Sequence, residues 1–500
     1  MQNHILKMVG KKERLKGSNM ATKFKERKVK PGDDDYDPQS CGFTETKKFK
    51  VLFCCNVEGN NAKFYCIELQ HNPKTGYYRL FSHYGRLGLS EVFGIRDYDY
   101  ITNSKVNDES IIEAEFDSIV KSKLRGKTIK DDRGLDDSRR ENYEEVSTFS
   151  PKVGSSNIRD KSVATVSVKQ GIDTSSIANK KIVRIIDQIV AENIHNITSL
   201  TTFTLSSNGF ETPLGPVTKD HVKKAEVALN NLKSELKNGK LSTDSQVVRT
   251  NNNLYYSLIP HQFGRKIQES DWILDDNKLM QEYDLLEQLE SAVQMGSTLN
   301  KNATQKLNAI GADFDELTDS KEYERLKRYV ENSKASNHRG SDVWNYRVKD
   351  IFTLKIPQER SRFESQKTKY GNVKELFHGS KNCNILSIMK NGLIIPKCNC
   401  PTFSGRAFGD GIYAACHSTK SLNYSTNFWN SSHRSSANNV FLFIVNFAMG
   451  KEYITQHCLS RIPSGYDSCW AKSGGGLYND EYIVYNIAQA TITHLIELVK

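Results

Sequence analysis

Short apolar runs rich in β-branched and aromatic residues dominate the last two hundred residues, and they constrain the fold of this chain more than any other feature. The five clearest runs read DIFTLKI, KELFHG, NVFLFIVNF, EYIVYNI and ATITHLIELV. Each has the length of a β-strand and is bounded by polar or glycine-containing segments. None approaches the length of a membrane span. The pattern predicts a sheet-based domain over residues 302–500.

Upstream of these strands the apolar residues change to helical spacing. Three stripes recur every three or four residues, which predicts an all-α bundle over 179–301. They comprise Ile182, Ile185, Ile186, Ile189 and Val190; Val222, Ala225, Leu229, Leu232 and Leu236; and Leu279, Tyr283, Leu286, Leu289 and Val293. Gly239 is expected to end the second helix.

The first part of the chain again favours strands. Residues 49–55, 63–69 and 77–83 are rich in aromatic and β-branched residues, and HNPKTG separates the last two runs as a turn. A helix over 113–120 is expected to pack on this sheet. These signals predict a small β-rich domain over 41–150, followed by a Ser/Lys/Gly-rich linker over 151–178.

Charge and cysteine usage limit the class of protein. The formal net charge is +11, and the first 30 residues hold ten Lys or Arg against two Glu. Such a segment predicts a disordered basic tail over 1–40, which suits nucleic-acid contact, nuclear import or a purely solvated role. The ten cysteines lack zinc-finger spacing, and Cys398, Cys400, Cys416 and His417 are only a weak metal candidate. No metal, signal peptide or membrane segment is expected.

Three blocks in the last 130 residues place reactive side chains next to the strands. ELFHGS ends a strand with His378, Gly379 and Ser380. The block FGDGIYAACHSTKSLNYS carries Tyr413 and Tyr424 on either side of a short polar helix that holds Lys420 and Ser421. The third block, LYNDEYIVYNIAQ, opens a strand with Glu481.

In this order, the blocks closely resemble the catalytic domain of the poly(ADP-ribose) polymerases, in the DNA-damage-dependent branch. The resemblance implies a mixed split sheet and NAD as a consumed substrate. His378, Tyr413 and Glu481 would be the catalytic set. Nicotinamide and the NAD ribose would be held by His378, Gly379, Ser380, Tyr413, Ser421 and Tyr424, with Lys420 on the acceptor side. Glu481 would stabilise the developing oxocarbenium ion and orient the acceptor hydroxyl.

The resemblance extends upstream. TyrGlyArgLeuGly at 84–88 resembles the signature of the Trp-Gly-Arg (WGR) domain, with Tyr84 where Trp is usual. It implies that Tyr84, Gly85 and Arg86 contact broken DNA, whereas the alternative is a hairpin with a structural arginine. The segments TPLGPVT and YSLIPHQFG resemble the helical regulatory domain of the family, which is expected to cover the adenosine half of the NAD site until DNA loosens it.

The predicted fold class is therefore multidomain α+β, with a WGR domain, an all-α regulatory bundle and an ADP-ribosyltransferase domain. The implied function is a nuclear, DNA-break-stimulated polymerase that acts in DNA repair. It would modify protein acceptors including itself, with histones and an accessory histone-modification factor as further partners and no membrane. A DNA-end-binding scaffold with weak or mono-ADP-ribosyl transfer is the alternative. Two positions depart from the family pattern: Ile394 replaces an Arg that helps to hold adenosine, and Asp480 precedes Glu481 as a second carboxylate.

Overall fold

The fold is multidomain α+β, as the sequence predicts. The computed structural model describes residues 23–56, 61–86, 91–125, 127–130, 136–141, 143–145, 179–207, 209–212, 215–236, 240–263, 267–396, 407–426 and 438–500. The predicted linker over 151–178 and residues 1–22 of the predicted tail lie outside these ranges, as do Gly239, Cys398 and Cys400.

An antiparallel sheet forms the N-terminal region. The first strands of the region are β1 (Arg27–Val29), β2 (Glu45–Asn56), β3 (Asn61–His71), β4 (Tyr78–Arg86) and β5 (Glu91–Arg96). They are followed by β6 (Tyr98–Asp99), β7 (Ser104–Lys105), helix α1 (Glu109–Arg125), β8 (Lys127–Lys130), β9 (Asp136–Glu141) and β10 (Glu144–Glu145). Strands β6 and β7 pair with each other, as do β8 and β9, outside the main sheet. The six-stranded sheet has the order β1-β5-β4-β3-β2-β10. The predicted disordered tail to residue 40 is wrong for residues 23–40, because β1 pairs with β5 and closes that edge of the sheet.

The two faces of this sheet are covered differently. On one face α1 buries Ile112, Phe116 and Val120 against the sheet, which confirms the predicted helix. On the other face Phe263 and Ile267, from the helical region, pack against an apolar cluster that includes Phe53 and Phe64. The N-terminal sheet is therefore in direct contact with the helical region.

The helical region contains the three predicted apolar stripes, but the prediction that it is all-α is wrong, because three short strands form an antiparallel sheet within it. Its elements are α2 (Lys180–Leu200), β11 (Thr204–Ser206), β12 (Gly209–Thr212), β13 (Gly215–Pro216), α3 (Lys219–Glu235), α4 (Gln246–Leu258), α5 (Asp276–Met295) and α6 (Ala303–Ile310). The side chains of Asn179, Thr218, Ser245 and Asp275 accept hydrogen bonds from the first-turn amides of α2, α3, α4 and α5. Side chains of all three stripes share one continuous core with the C-terminal region.

A buried polar contact links the loop at His261 to α5. His261 Nε2 lies 3.0 Å from the Glu282 carboxylate, which also pairs with Lys278 and accepts a 2.8 Å hydrogen bond from the Tyr255 hydroxyl. Burial alone would raise the pKa of Glu282, but these partners outweigh it and lower the pKa to about 2. The ionised carboxylate therefore holds the loop and the helix together.

Two sheets build the C-terminal region. The elements are β14 (Asp313–Glu316), α7 (Ser320–Asn332), β15 (Arg347–Lys355), α8 (Pro357–Tyr370), β16 (Val373–Gly379), α9 (Ile385–Asn391), β17 (Ile412–Ala414), α10 (Ser418–Ser425), β18 (Asn439–Ala448), β19 (Glu452–Thr455), β20 (Ser468–Ala471), β21 (Glu481–Val484) and β22 (Ala490–Val499). One sheet has the order β14-β15-β22-β18-β16, and the other, with β19 and β20 parallel, has the order β17-β21-β20-β19. This is the mixed split sheet that the sequence predicts.

The two sheets meet where β16 approaches β17. The backbones of Phe377 and Ala415 exchange hydrogen bonds of 2.8 and 2.9 Å across this junction. His378, in the next position of β16, therefore lies at the opening between the sheets.

Helix α2 is attached to the first of these sheets. The Arg184 guanidinium donates to both oxygens of Glu497, a fully buried carboxylate on β22, at 2.6 and 2.5 Å. A second contact at 3.3 Å joins Arg184 to Asp350 on β15. The helical region is thus tied to the central strands of the C-terminal sheet.

No helix within the described ranges combines the length and the apolar character needed to cross a membrane.

Candidate active site

A cavity of about 740 Å³ lies between the two C-terminal sheets and helix α5. All eight residues that the sequence assigns to catalysis, NAD or the acceptor line it: His378, Gly379, Ser380, Tyr413, Lys420, Ser421, Tyr424 and Glu481. They come from the end of β16, from β17, from α10 and from the start of β21. The junction of the sheets therefore brings together three blocks that are separated along the chain.

The imidazole of His378 is fixed by the neighbouring sheet. Its Nδ1 lies 2.8 Å from the backbone carbonyl oxygen of Tyr413, so Nδ1 carries the proton and Nε2 is the acceptor nitrogen of a neutral ring. Burial lowers the pKa of His378 and keeps it in this neutral form. A neutral ring in this tautomer is suited to accept a hydrogen bond from a sugar hydroxyl.

Tyr413 and Tyr424 present aromatic rings to the cavity. The Tyr413 hydroxyl donates to the Gly409 carbonyl at 2.7 Å and accepts from the Phe408 amide at 3.1 Å, which fixes the ring. Tyr424 lies within α10, so the expectation that the two tyrosines flank this helix is wrong for Tyr424. Burial, followed by the charge of Glu481, raises the pKa of Tyr424 and keeps its phenol neutral.

Gly379 is required by the close approach of α10. A Cβ atom at this position would lie 1.9 Å from the backbone carbonyl oxygen of Ser421, so no other residue fits without moving the helix. The Ser421 hydroxyl donates to the Phe377 carbonyl at 2.9 Å, and its oxygen retains lone pairs as an acceptor. Ser380 accepts a 3.2 Å hydrogen bond from the Asn384 amide.

Glu481 and Lys420 form an ion pair at the edge of the cavity. Lys420 Nζ lies 2.9 Å from Glu481 Oε1 and donates to the Asn479 carbonyl at 2.5 Å. Both side chains are about nine-tenths buried, with exposures of 11% and 10%. Burial lowers the pKa of Lys420, while the charge of Glu481 acts in the opposite direction. The lysine therefore positions the carboxylate and depends on it for charge compensation.

The two departures from the family pattern have different structural consequences. The Asp480 carboxylate accepts hydrogen bonds of 2.8 Å from Trp470 Nε1 and from the Ser473 amide, so both its oxygens are engaged by β20 and the loop after it. Ile394 lines the cavity and places an apolar side chain where an arginine would place a positive charge.

Helix α5 forms one wall of the cavity, and the sequence reasoning missed the acidic residues that this helix contributes. Asp284, Glu287 and Glu290 line the cavity, and Asp284 pairs with Lys381 at 3.1 Å. The charge of Asp284 raises the pKa of Lys381 despite burial. These acids are spaced three residues apart beside the apolar stripe of α5, and that spacing is the signal that could have identified them.

The predicted DNA-reading residues lie apart from this cavity, at the end of β4. The Tyr84 ring is stacked on Tyr65 with centroids 5.2 Å apart, and its hydroxyl donates to Glu26 at 2.8 Å. One face of the Tyr84 ring is therefore already covered. Arg86 is half-buried and lies opposite Lys63 across β3 and β4.

Two family models match the chain. The poly(ADP-ribose) polymerase regulatory domain matches residues 177–317, and the poly(ADP-ribose) polymerase catalytic domain matches residues 320–475. A putative poly(ADP-ribose) polymerase-like protein of invertebrate iridescent virus 6 is 32% identical over 136 residues, which cover 25% of this chain and 70% of the viral protein. The chain belongs to the poly(ADP-ribose) polymerase family.

Longer relatives in the family extend the similarity. The poly(ADP-ribose) polymerase of Drosophila melanogaster is 24% identical over 495 residues, which cover 90% of this chain and 45% of the fly protein. Poly(ADP-ribose) polymerase 1 of Gallus gallus is 27% identical over 330 residues, covering 57% of this chain and 31% of the chicken protein. The chain thus spans less than half the length of these relatives. Glu481 lies just beyond the matched catalytic range.

In the described part of the chain, no three His, Cys, Asp or Glu side chains gather in a way that could hold a metal ion.

Proposed function

We propose that this chain is an NAD-consuming ADP-ribosyltransferase that builds poly(ADP-ribose) on protein acceptors, including itself. The observation that carries the proposal is the Glu481–Lys420 ion pair in the same cavity as His378 and Tyr413. A buried carboxylate beside aromatic rings and a neutral imidazole suits the breaking of a bond between a sugar and a ring nitrogen. The family match of residues 320–475 supports the same chemistry.

Different residues of the cavity would bind nicotinamide and act on the reacting carbon. Tyr413 and Tyr424 offer rings against which nicotinamide can stack, and the tight Gly379–Ser421 contact gives it a polar backbone edge. The bond from the nicotinamide nitrogen to the ribose anomeric carbon breaks, and nicotinamide leaves as a neutral molecule. Glu481 faces the cationic carbon and holds the acceptor hydroxyl, whose O–H bond breaks as the new C–O bond forms, with the proton passing to the Glu481 carboxylate.

Polymer formation requires that the acceptor can be a hydroxyl of a bound ADP-ribose unit. The Glu481 side chain supports this step, because a carboxylate can accept a hydrogen bond from the incoming hydroxyl. The Lys420 ammonium compensates the carboxylate charge and lies beside the position where the acceptor enters. The apolar wall at Ile394 instead favours the second candidate, a DNA-binding protein with weak or single-unit transfer.

Incubation of the purified chain with labelled NAD, with and without nicked DNA, tests the proposal. We expect a ladder of long products that is strongly increased by DNA. Single-unit products alone would favour the second candidate, and no incorporated label under either condition would contradict the assignment as a transferase.

We further propose that DNA breaks activate the enzyme in the nucleus and that it acts in DNA repair, with histones and an accessory histone-modification factor as partners. Helix α5 closes one side of the cavity with three acids, which would oppose the negatively charged diphosphate of NAD. The N-terminal sheet contacts the helical region through Phe263 and Ile267. A DNA contact on that sheet therefore has a direct route to the helices that wall the cavity.

Replacing Arg86 by Ala is expected to weaken binding to a 5′-phosphorylated nick about 10- to 150-fold. The reason is the loss of a charge-assisted hydrogen bond to phosphate, worth roughly 1.5–3 kcal/mol. The measurements are the Kd for nicked and intact duplexes and the DNA-stimulated rate of polymer synthesis.

Two controls separate a specific contact from general charge. Arg125→Ala removes an exposed arginine at the end of α1 and should leave the discrimination between nicked and intact DNA unchanged. Deletion of residues 1–22 should mainly reduce the salt dependence of binding, because those charges act by counterion release. Equal activity of the wild-type protein with and without broken DNA would contradict the DNA-reading role.

A further inference from the structure

Glu359 is a buried carboxylate that does not line the cavity. It lies in the first turn of α8, two residues after Pro357, and is fully buried. Its Oε2 accepts a 2.8 Å hydrogen bond from the Leu393 amide, and its Oε1 accepts one of 2.6 Å from the Ile492 amide. Burial raises the pKa of Glu359, and the two amides act in the opposite direction.

The first of these amides belongs to the turn that leads into the cavity wall. Helix α9 ends at Asn391 and is followed by Gly392, whose φ of +78° is in the left-handed region. A Cβ atom at Gly392 would lie 2.3 Å from Glu359 Oε2, so the turn closes directly onto the carboxylate. The residues that follow this contact, Leu393, Ile394 and Pro396, line the cavity.

The second amide belongs to the central sheet. The pairing of β18 with β22 shifts register between Ile444 and Val445, which leaves Thr493 as an extra residue on β22 next to Ile492. Such a bulge interrupts the regular pairing of backbone groups, and the Glu359 carboxylate satisfies the Ile492 amide there. One side chain therefore joins the rigid centre of the sheet to the turn after α9.

This turn and the proposed nicotinamide end are separate parts of the cavity lining. The proposed nicotinamide end is formed by Ser421, Tyr424 and Glu481, on α10 and β21. The wall at 392–396 follows α9, which contacts α5 through a 3.2 Å bond from the Ser387 hydroxyl to the Glu287 carbonyl and a 3.1 Å bond from Asn391 to Ser291. The remaining length of NAD, its adenosine half, would lie along this wall.

We propose that Glu359 is a positioning residue that sets the wall for the adenosine half of NAD without touching the substrate. This inference rests on the proposed function of the cavity. It predicts that the affinities for two kinds of ligand respond differently. A change at Glu359 should weaken the binding of a ligand that occupies the adenosine side and leave unchanged the binding of one that occupies only the nicotinamide side.

The test is Glu359→Gln, measured with the full chain in the presence of nicked DNA. Glutamine has the same shape, but its amide group presents N–H donors to one of the two backbone amides, so both cannot be satisfied. We expect the Kd for ADP-ribose and the KM for NAD to rise roughly 10-fold as the wall moves. The Kd for benzamide, a nicotinamide mimic, should stay within about twofold, and kcat should change little.

Glu364→Gln is the matched control on the same helix. Glu364 is exposed and pairs with Arg360 at 2.6 Å and with Lys367 at 3.5 Å. Its replacement should therefore leave the Kd values for ADP-ribose and benzamide unchanged. If Glu359→Gln does not fold, Gly392→Ala disturbs the same contact from the other side. It should likewise weaken ADP-ribose binding and leave benzamide binding unchanged.

Unchanged ADP-ribose affinity in either folded variant would overturn the positioning role, and so would an equal loss for benzamide and ADP-ribose, which would indicate general destabilisation. Failure of the wild-type chain to bind either ligand would instead overturn the proposed function itself, and with it this inference.

Discussion

Replacing Glu481 by Gln is expected to abolish long polymer and to reduce the rate of transfer about 100- to 10,000-fold. The change keeps the shape of the side chain and removes its charge, so the developing cation loses its counter-charge. Lys420 also loses its partner, and burial already lowers the pKa of that lysine. We expect residual single-unit transfer or NAD hydrolysis, because the rest of the cavity is unchanged.

The adjacent carboxylate provides the control. Asp480→Asn removes a negative charge one residue away, but the Asp480 oxygens bond to Trp470 and Ser473 rather than to Lys420. We expect this variant to retain polymer synthesis. Product length on a gel with labelled NAD is the measurement, and long polymer from Glu481→Gln at nearly the wild-type rate would be incompatible with the proposed role of Glu481.

Weakening the core behind α5 is expected to give activity without DNA. Leu286 and Leu289 lie on the buried face of α5, the helix that forms a wall of the cavity. Replacing either leucine by asparagine lowers the stability of this core by about 2–5 kcal/mol. Local opening then becomes more frequent, since each 1.4 kcal/mol changes the population of an open state about tenfold. Leu289→Asn should therefore raise the DNA-free rate by at least about tenfold and reduce further stimulation by DNA. Removal of residues 179–300 should have the same effect in full.

Initial polymer synthesis with and without nicked DNA is the measurement. Leu254→Asn makes the same chemical change at an exposed position on α4 and should behave as the wild-type protein does. Benzamide binding confirms that each variant retains its cavity. A Leu289→Asn protein that folds, binds benzamide and still depends fully on DNA would rule out restraint by this helix.

The locally encoded features could be predicted from the sequence. Apolar spacing identified α2, α3 and α5, because periodicity reports the buried face of a helix. Short apolar runs identified β15, β16, β18, β21 and β22, but not the other strands of the C-terminal sheets. The blocks around His378, Tyr413, Lys420 and Glu481 gave eight of the residues that line the cavity, because the residues of each block are close together along the chain. The family that these blocks indicated is confirmed by the matches over 177–317 and 320–475, while the roles assigned to the individual residues remain predictions.

Other features were decided only by packing between distant segments. Strand β1 joined the sheet although its composition is that of a basic tail, because its backbone satisfies the free edge of β5. The need for glycine at 379 arises from the Ser421 carbonyl, and the role of Glu359 arises from amides at 393 and 492. The acidic wall of α5 faces the cavity only after the helical region docks on the sheet. Sequence periodicity determines which face of an element is buried, but the partner of that face is fixed when segments tens to hundreds of residues apart come into contact.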